Sequence, residues 1–180
     1  MGNAEYWSGL DTKFLLECDP RPSTSCGRVE CGPGWDWEFR QHDYDLWYVV
    51  SGTGRISINQ VEYSVAPECL YFLRRGDAGW AVQDPDDRLT VIFLHFDFFA
   101  PGGSKRVSPA EGWLPSREIP FRDGAVLKRL LTRAVRVMHR RRSLDLFEAR
   151  SMLHLALLEI YRQDALNKGE FEFTLDPRIE

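Results

Sequence analysis

The sequence has few of the features that mark membrane, secreted or nucleic-acid-coating proteins. No run approaches the roughly 20 apolar residues of a transmembrane helix. Residues 1–10 lack the basic start and apolar run of a secretory signal peptide. The net charge of −4 gives no global cationic field that would attract nucleic acid or anionic membranes. We therefore expect a soluble, cytoplasmic protein with no membrane partner.

Cysteine and histidine are also scarce, with four of each among 180 residues. Four cysteines allow two disulfides, but a reducing cytoplasm favours thiols. Cys26 and Cys31 are separated by four residues, without the C-x2-C pair or the downstream Cys/His pair of a structural zinc site. We expect small buried thiols, and neither a metal nor another cofactor.

Aromatic and β-branched residues are plentiful, and they fall at period two through the first hundred residues. The segment DYDLWYVVSGTGRISINQVEYSVAPECLYFLRRG, residues 43–76, predicts several short strands separated by turns. The glycines of residues 52–54 predict a hairpin between the strands on either side, and a second turn is expected near residues 59–60. Many short strands at regular spacing favour a closed or sandwiched β-structure.

Residues 101–120 are rich in proline and glycine, and a helical pattern follows them. Apolar residues spaced three and four apart predict an amphipathic helix over residues 123–141 and a second helix over residues 144–165. The second helix is apolar on more than one side, so we expect one side to pack on the first helix and the β-structure and the other to meet a second copy of the chain. The expected dimer contacts are Leu146, Met152, Leu153, Leu157 and Tyr161.

The order of these segments resembles the N-terminal, effector-sensing half of AraC-family transcription regulators. The likeness runs from Trp35 to Glu180, and rests on residues 46–54, the P-x-x-L-Y-F-L-R-x-G strand at 67–76, DRLTVIFLHFDFF, the helix pair and the closing LDPRIE. It departs from the family at Pro67-Glu68-Cys69, where Pro-Gly-Asp is frequent, and at residues 75–80, where many members carry Pro-Gly-x-x-His.

The resemblance implies a mainly β fold with α: a cupin-like double-stranded β-helix, or jelly-roll barrel, followed by two antiparallel helices. The implied organisation is an N-terminal arm (1–27), a ligand-binding barrel (28–100), a connection with a helical dimerisation element (101–166), and a linker (167–180). The linker would lead to a helix-turn-helix DNA-binding domain absent from this chain, so that DNA is contacted only through that domain. The implied function is sensing of a small molecule, with a sugar as the family-level expectation.

The barrel has too few histidines for the usual metal site of a catalytic cupin, which needs about three imidazoles and a carboxylate. His139 and His154 fall in the helices, which leaves His42 and His95. A ligand site of aromatic walls and a few polar anchors is the better prediction. Its candidates lie on strand faces or strand ends, with Val91 and Phe93 as pocket floor and Arg40 at the mouth implied by the resemblance: Trp35, Trp37, Arg40, His42, Arg74, Trp80, Val91, Phe93 and His95.

Two alternatives stay open from the sequence. One is a metal-dependent cupin enzyme acting on a small sugar or a related metabolite. The other is a barrel that binds no ligand and acts only in dimerisation, its inward aromatics being ordinary core. We favour a non-enzymatic sensor over both.

Overall fold

A computed structural model describes residues 17–140 and 143–169 of the chain. In this part, nine strands precede two helices. The strands are β1 (Asp19–Glu30), β2 (Asp36–Arg40), β3 (Tyr44–Ser51), β4 (Gly54–Ile58), β5 (Val61–Val65), β6 (Cys69–Leu73), β7 (Ala78–Gln83), β8 (Thr90–Phe99) and β9 (Glu118–Pro120). The helices are α1 (Ala125–Met138) and α2 (Ser143–Asn167), and a short 3-10 turn spans Glu111–Trp113.

The strands form two antiparallel sheets that lie face to face. The larger sheet has the order β1-β8-β3-β6-β9, and the smaller has the order β2-β7-β4-β5. One hydrophobic core lies between the sheets, and a second joins the outer face of the larger sheet to the helices. The predicted fold class, a cupin-like β-barrel followed by helices, is confirmed.

The central strands of the larger sheet are buried on both faces, and this explains the near-continuous apolar runs in β3, β6 and β8. In β6 every residue is buried. In β3, Trp47 and Val49 point into the inter-sheet core, whereas Leu46 and Tyr48 point toward the helices. A strand covered on both sides has no solvent face, so it loses the apolar–polar alternation of an exposed sheet.

The first strand begins earlier than the sequence suggested. Residues 18–27 carry two prolines and were expected to form an arm, yet β1 starts at Asp19 and pairs with β8 as far as Glu30. The prolines are tolerated because β1 is the edge strand of its sheet and its ladder is irregular between Pro22 and Cys26. The rest of the expected arm, residues 1–16, lies outside the described residues.

The glycine-rich turn after β3 does not close a hairpin. β3 and β4 belong to different sheets, so residues 52–53 carry the chain from one sheet to the other. Gly52 has a φ of +85°, and a Cβ at this position would overlap the backbone carbonyl of Arg88. The second predicted turn is confirmed: Asn59 and Gln60 both have positive φ and connect β4 to β5 as a two-residue hairpin loop.

Both predicted helices are present, with ends that differ from the prediction by a few residues. The buried residues of α1 follow one stripe: Leu127, Leu131, Ala134 and Val137. In α2, Leu153 and Leu157 are 0% exposed and belong to the chain's own core. Expecting them at a dimer contact was therefore wrong, because no surface of either leucine is left for a second copy to cover.

The other three expected dimer residues differ in exposure. Met152 and Tyr161 are half-buried and pack against the same core, and the Tyr161 hydroxyl donates to the Trp113 carbonyl over 2.7 Å. Leu146 is exposed. Among the described helices, none is long and apolar enough to cross a bilayer.

Candidate functional site: a cavity between the sheets

A cavity of about 220 Å³ lies between the two sheets. Aromatic residues provide most of its wall, and aliphatic residues of β1 and β8 complete the apolar part. The lining residues are Val29, Trp35, Trp37, Asp45, Trp47, Val91, Phe93 and His95. We call this space the inter-sheet cavity.

Three indoles from both sides of the barrel contribute to the wall. Trp37 lies in β2 and Trp35 just before it, so period-two spacing puts both on one face. Trp47 comes from β3 in the opposite sheet and is almost fully buried. The Trp35 and Trp47 ring centroids are 6.5 Å apart with planes within 12°, and those of Trp37 and Trp47 are 6.1 Å apart with planes within 26°. The indoles therefore form a near-parallel group.

The remaining wall comes from one face of β8. Val91, Phe93 and His95 occupy alternate positions, and in the antiparallel register each stands opposite a residue of β3: Val49, Trp47 and Asp45, respectively. The intervening residues of β8 point to the helices. The pairing of β3 with β8 thus sets a carboxylate beside the only imidazole among the lining residues described.

Asp45 and His95 form the polar part of the cavity. Asp45 is only 1% exposed, and one of its carboxylate oxygens accepts a hydrogen bond from the backbone N–H of Leu94 over 3.2 Å. The other lies 3.5 Å from Nε2 of His95. On the opposite side of the ring, Nδ1 lies 2.8 Å from Oδ1 of Asp43, and because a carboxylate accepts, the ring nitrogen donates. The imidazole therefore lies between two carboxyl groups.

Burial decides the protonation of Asp45. It raises the pKa of this carboxyl from 3.8 to about 6; the positive charge of His95 opposes the rise and the negative charge of Asp43 adds to it. For His95, burial lowers the pKa, but the hydrogen bond to Asp43 and the charges of Asp45 and Asp43 outweigh it, so the net direction is upward from 6.5. The pKa values of both groups are therefore raised, so each keeps its proton to a higher pH than it would in water.

Five of the residues proposed from sequence line this cavity together: Trp35, Trp37, Val91, Phe93 and His95. Period-two spacing suggested Trp35 with Trp37 and Phe93 with His95, and the family resemblance suggested Val91.

The other four proposed residues are not among the residues that line it. Arg40 and His42 are exposed at and after the end of β2. Trp80 lies on β7, where the guanidinium of Arg55 stacks over its ring at 5.8 Å. Arg74 is buried at another place in the fold.

Arg74 has a structural environment of its own. Its guanidinium donates to the Pro115 carbonyl over 2.6 Å and forms an ion pair with Glu111. Its backbone N–H donates to Asp77, which also pairs with Arg117. These contacts attach the 101–120 connection to the end of β6. Arg74 was proposed as a ligand anchor because it follows the end of a strand, but in the structure its side chain holds the 101–120 connection.

Sequence reasoning missed Val29, Asp45 and Trp47. A signal for two of them was present, because Asp45 is a single carboxylate in the otherwise apolar and aromatic run of β3 and Trp47 shares its face. A charged residue inside a fully buried strand needs a partner or a function. Only the register with β8 identifies that partner as His95.

The cysteines of the described chain form no disulfide. Cys18, Cys26, Cys31 and Cys69 are free thiols; the last three are buried, whereas Cys18 is half-buried. Burial raises the pKa of Cys69 to about 11, which makes it a poor nucleophile near neutral pH. Within residues 17–140 and 143–169, no three His, Cys, Asp or Glu side chains come together in a metal-binding arrangement.

The fold and cavity define a two-sheet, cupin-like barrel with a space for a small molecule. No protein-family model and no curated protein matches the chain. Solved structures with a similar fold include ToxT from Vibrio cholerae, at 10% identity and a TM-score of 0.46, covering 89% of this chain and 60% of that chain.

Two further solved structures give comparable values. ToxT bound to (E)-4-(8-methylnaphthalen-1-yl)but-3-enoic acid has 11% identity and a TM-score of 0.45, covering 89% of this chain and 60% of that one. A cupin protein from Bacteroides fragilis has 15% identity and a TM-score of 0.27, covering 64% of this chain and 95% of that one. This chain thus spans about 60% of the ToxT chains. At these values, function must be argued from this chain's own residues.

Proposed function

We propose that this chain is the ligand-sensing and dimerisation part of an AraC-family transcription regulator, and that the inter-sheet cavity receives its small-molecule effector. The observation that carries the proposal is the cavity itself. A barrel core is ordinarily filled by side chains at close to crystal packing density. Here, at the edge of the inter-sheet core and beside the half-buried Trp35, Trp37 and Phe93, a space of about 220 Å³ remains, with aromatic walls and a buried carboxylate next to a half-buried imidazole. Apolar walls with a few convergent polar groups are typical of ligand sites.

The composition of the wall supports binding over catalysis. The described lining residues include no serine, threonine, cysteine or lysine that could attack a substrate. Asp45 and His95 can hold or move a proton, and in this proposal they orient a bound molecule. A metal-dependent cupin enzyme remains the competing proposal, and metal analysis of the purified protein separates the two: stoichiometric iron, manganese or zinc would favour the enzyme.

The proposed dimer contact is the outer stripe of α2. Leu144, Phe147 and Leu155 are spaced three and eight residues apart on this helix, and all are exposed, Phe147 to 72%. Exposed residues of this size in one stripe favour a partner surface. In the whole protein, the helices would pass the effector signal to a DNA-binding domain, as the family resemblance implies. A ligand shifts the equilibrium between two conformations of a regulator only if its affinities for the two conformations differ.

The sugar expectation has limited support from the cavity. Indole faces stack well on sugar rings, but Arg40 and Arg74, the expected hydrogen-bonding anchors, are not lining residues. Asp45 and His95 take the place of these anchors.

The experiment is a binding screen with variants matched by residue type. Purified protein is titrated with sugars, small amines and small carboxylates, and binding is followed by thermal shift and calorimetry. We expect at least one class to bind, with Trp37→Ala weakening binding about fivefold or more, since a stacking ring contributes ~1 kcal/mol or more. Trp80→Ala removes an indole from outside the cavity and should leave affinity unchanged. A flat response to every class, or equal losses in the two variants, would contradict the proposal.

A further inference from the structure

The inter-sheet cavity has a one-sided charge. Among its lining residues, the ionisable ones are Asp45 and His95, and no lysine or arginine is included. Asp43 adds a second carboxylate on the far side of the His95 ring. With His95 protonated and both carboxylates ionised, the cluster carries a net charge of −1, and with His95 neutral it carries −2. No cation of the wall other than His95 balances these carboxylates.

Burial strengthens the electric field of this negative charge inside the cavity. Asp45 is 1% exposed, so water screens its field little. An anionic ligand would be repelled by the carboxylates and would find only His95 as a charged donor, whose Nδ1 is engaged by Asp43 at 2.8 Å and whose Nε2 lies 3.5 Å from Asp45. A positively charged ligand would instead provide Asp45 with the counter-ion that its burial requires.

The aromatic wall also favours a positively charged ligand. Trp35, Trp37, Trp47 and Phe93 surround the cavity beside Asp45. The faces of such rings carry negative potential and attract cations, most strongly where water is excluded, and tryptophan is the most effective of them. A polyhydroxylated ligand, in contrast, would need several hydrogen bonds, and Asp45 and His95 are the only lining side chains with strong donors or acceptors besides the indole N–H groups.

From this combination we infer that the effector of the inter-sheet cavity is a small organic cation, an alkylated ammonium or amine, held by the indoles and counterbalanced by Asp45. The inference rests on the proposed ligand-sensing function and names the chemical class of its ligand. The class follows from three observations on the same wall: a nearly fully buried carboxylate, a group of three indoles, and lining residues without lysine or arginine.

The test uses three probes of nearly the same shape and different charge. Choline is compared with its neutral isostere 3,3-dimethylbutan-1-ol and with the anion 3,3-dimethylbutanoate, by calorimetry on the intact chain at pH 7.5 and up to millimolar concentrations. Tetramethylammonium serves as a second cation. We expect both cations to bind, choline about tenfold or more tighter than the alcohol, and the carboxylate to bind weakest.

A variant pair isolates the carboxylate. Asp45→Asn keeps the shape and the acceptor for the Leu94 N–H, and it should lower choline affinity about tenfold or more while leaving the alcohol unchanged. Glu38→Gln removes an exposed carboxylate from β2 and should change neither probe. Circular dichroism confirms that both variants are folded.

The outcomes distinguish the inference from the proposed function. If the alcohol, the carboxylate or a neutral sugar binds as tightly as or more tightly than the two cations, the inference is overturned and the sensing function stands. If Asp45→Asn leaves choline affinity unchanged, the assigned counter-ion is wrong and the inference falls. If neither the cations nor the sugars, amines and carboxylates of the wider screen bind, both the inference and the proposed function are overturned.

Discussion

Replacing Asp45 by asparagine should make the protein more stable at neutral pH. Asp45 is buried, its pKa is raised to about 6, and its two polar contacts are the Leu94 N–H and the His95 ring. Between about pH 4 and pH 6 the folded state keeps the proton that the unfolded state has lost. The free energy of unfolding therefore falls as the pH rises through this window.

The magnitude follows from the change in pKa. A rise from 3.8 to about 6 corresponds to a ceiling of about 3 kcal/mol, at ~1.4 kcal/mol per pH unit. His95 acts in the same direction, because its raised pKa stabilises the fold below pH 6.5 and this contribution is lost as the pH rises through its folded value. Asparagine retains the acceptor for Leu94 and does not ionise, so the variant should lose most of this pH dependence.

The assay is urea unfolding followed by tryptophan fluorescence from pH 4.5 to pH 8. We expect Asp45→Asn to exceed the unchanged protein in stability at pH 7.5 by up to about 3 kcal/mol, and the difference to shrink or reverse at pH 4.5. Glu38→Gln, on the exposed face of β2, should follow the unchanged protein throughout. A variant less stable than the unchanged protein at pH 7.5 would refute the reasoning, since the ionised Asp45–His95 pair would then be net stabilising.

Three further predictions concern the fold and the dimer. Gly52→Ala should lower the free energy of unfolding by more than ~2 kcal/mol, because the new methyl group meets the Arg88 carbonyl. Gly76→Ala, also at positive φ but with open space around it, should lower it by about 1 kcal/mol. Equal losses in urea unfolding would contradict the clash at Gly52. Leu153→Ala should cost about 2–5 kcal/mol by leaving a cavity in the core, and Leu166→Ala, exposed near the end of the same helix and outside the proposed dimer contact, less than about 1 kcal/mol, so comparable losses would be inconsistent with the burial pattern. Phe147→Glu should convert a dimer to a monomer in sedimentation velocity without changing the circular dichroism spectrum, and an unchanged dimer would locate the interface elsewhere.

Period-two spacing was the most reliable guide to the cavity. It predicted that Trp35 and Trp37 share a face and that Val91, Phe93 and His95 share another, because successive side chains on any strand point to opposite sides. It gave no reason to prefer these residues over Arg40 or Trp80, which also lie on or near strands. Which face of a strand points inward depends on the sheet it joins, and strand pairing is a long-range property of the fold.

The dependence on long-range packing also explains why the expectations for residues 18–27 and for α2 were partly wrong. Two prolines favour a loop at residues 18–27, yet at the edge of a sheet their missing N–H groups cost little, and β1 forms through them. In α2, apolar residues occur on several sides, so the pattern could not say which leucines meet the barrel. Packing against α1 and the larger sheet buries Leu153 and Leu157 and leaves Leu144 and Phe147 outside.

The sequence by itself determined the local elements of this protein: short strands, two helices and a shortage of histidines, all of which follow from neighbouring residues and composition. Only the tertiary structure decided that Asp45 lies beside His95 and that Trp47 completes the group of indoles, because Asp45 and His95 are 50 residues apart in the chain and meet only where β3 pairs with β8. The charge of the cavity, and with it the class of ligand we infer, depends on that single pairing of strands.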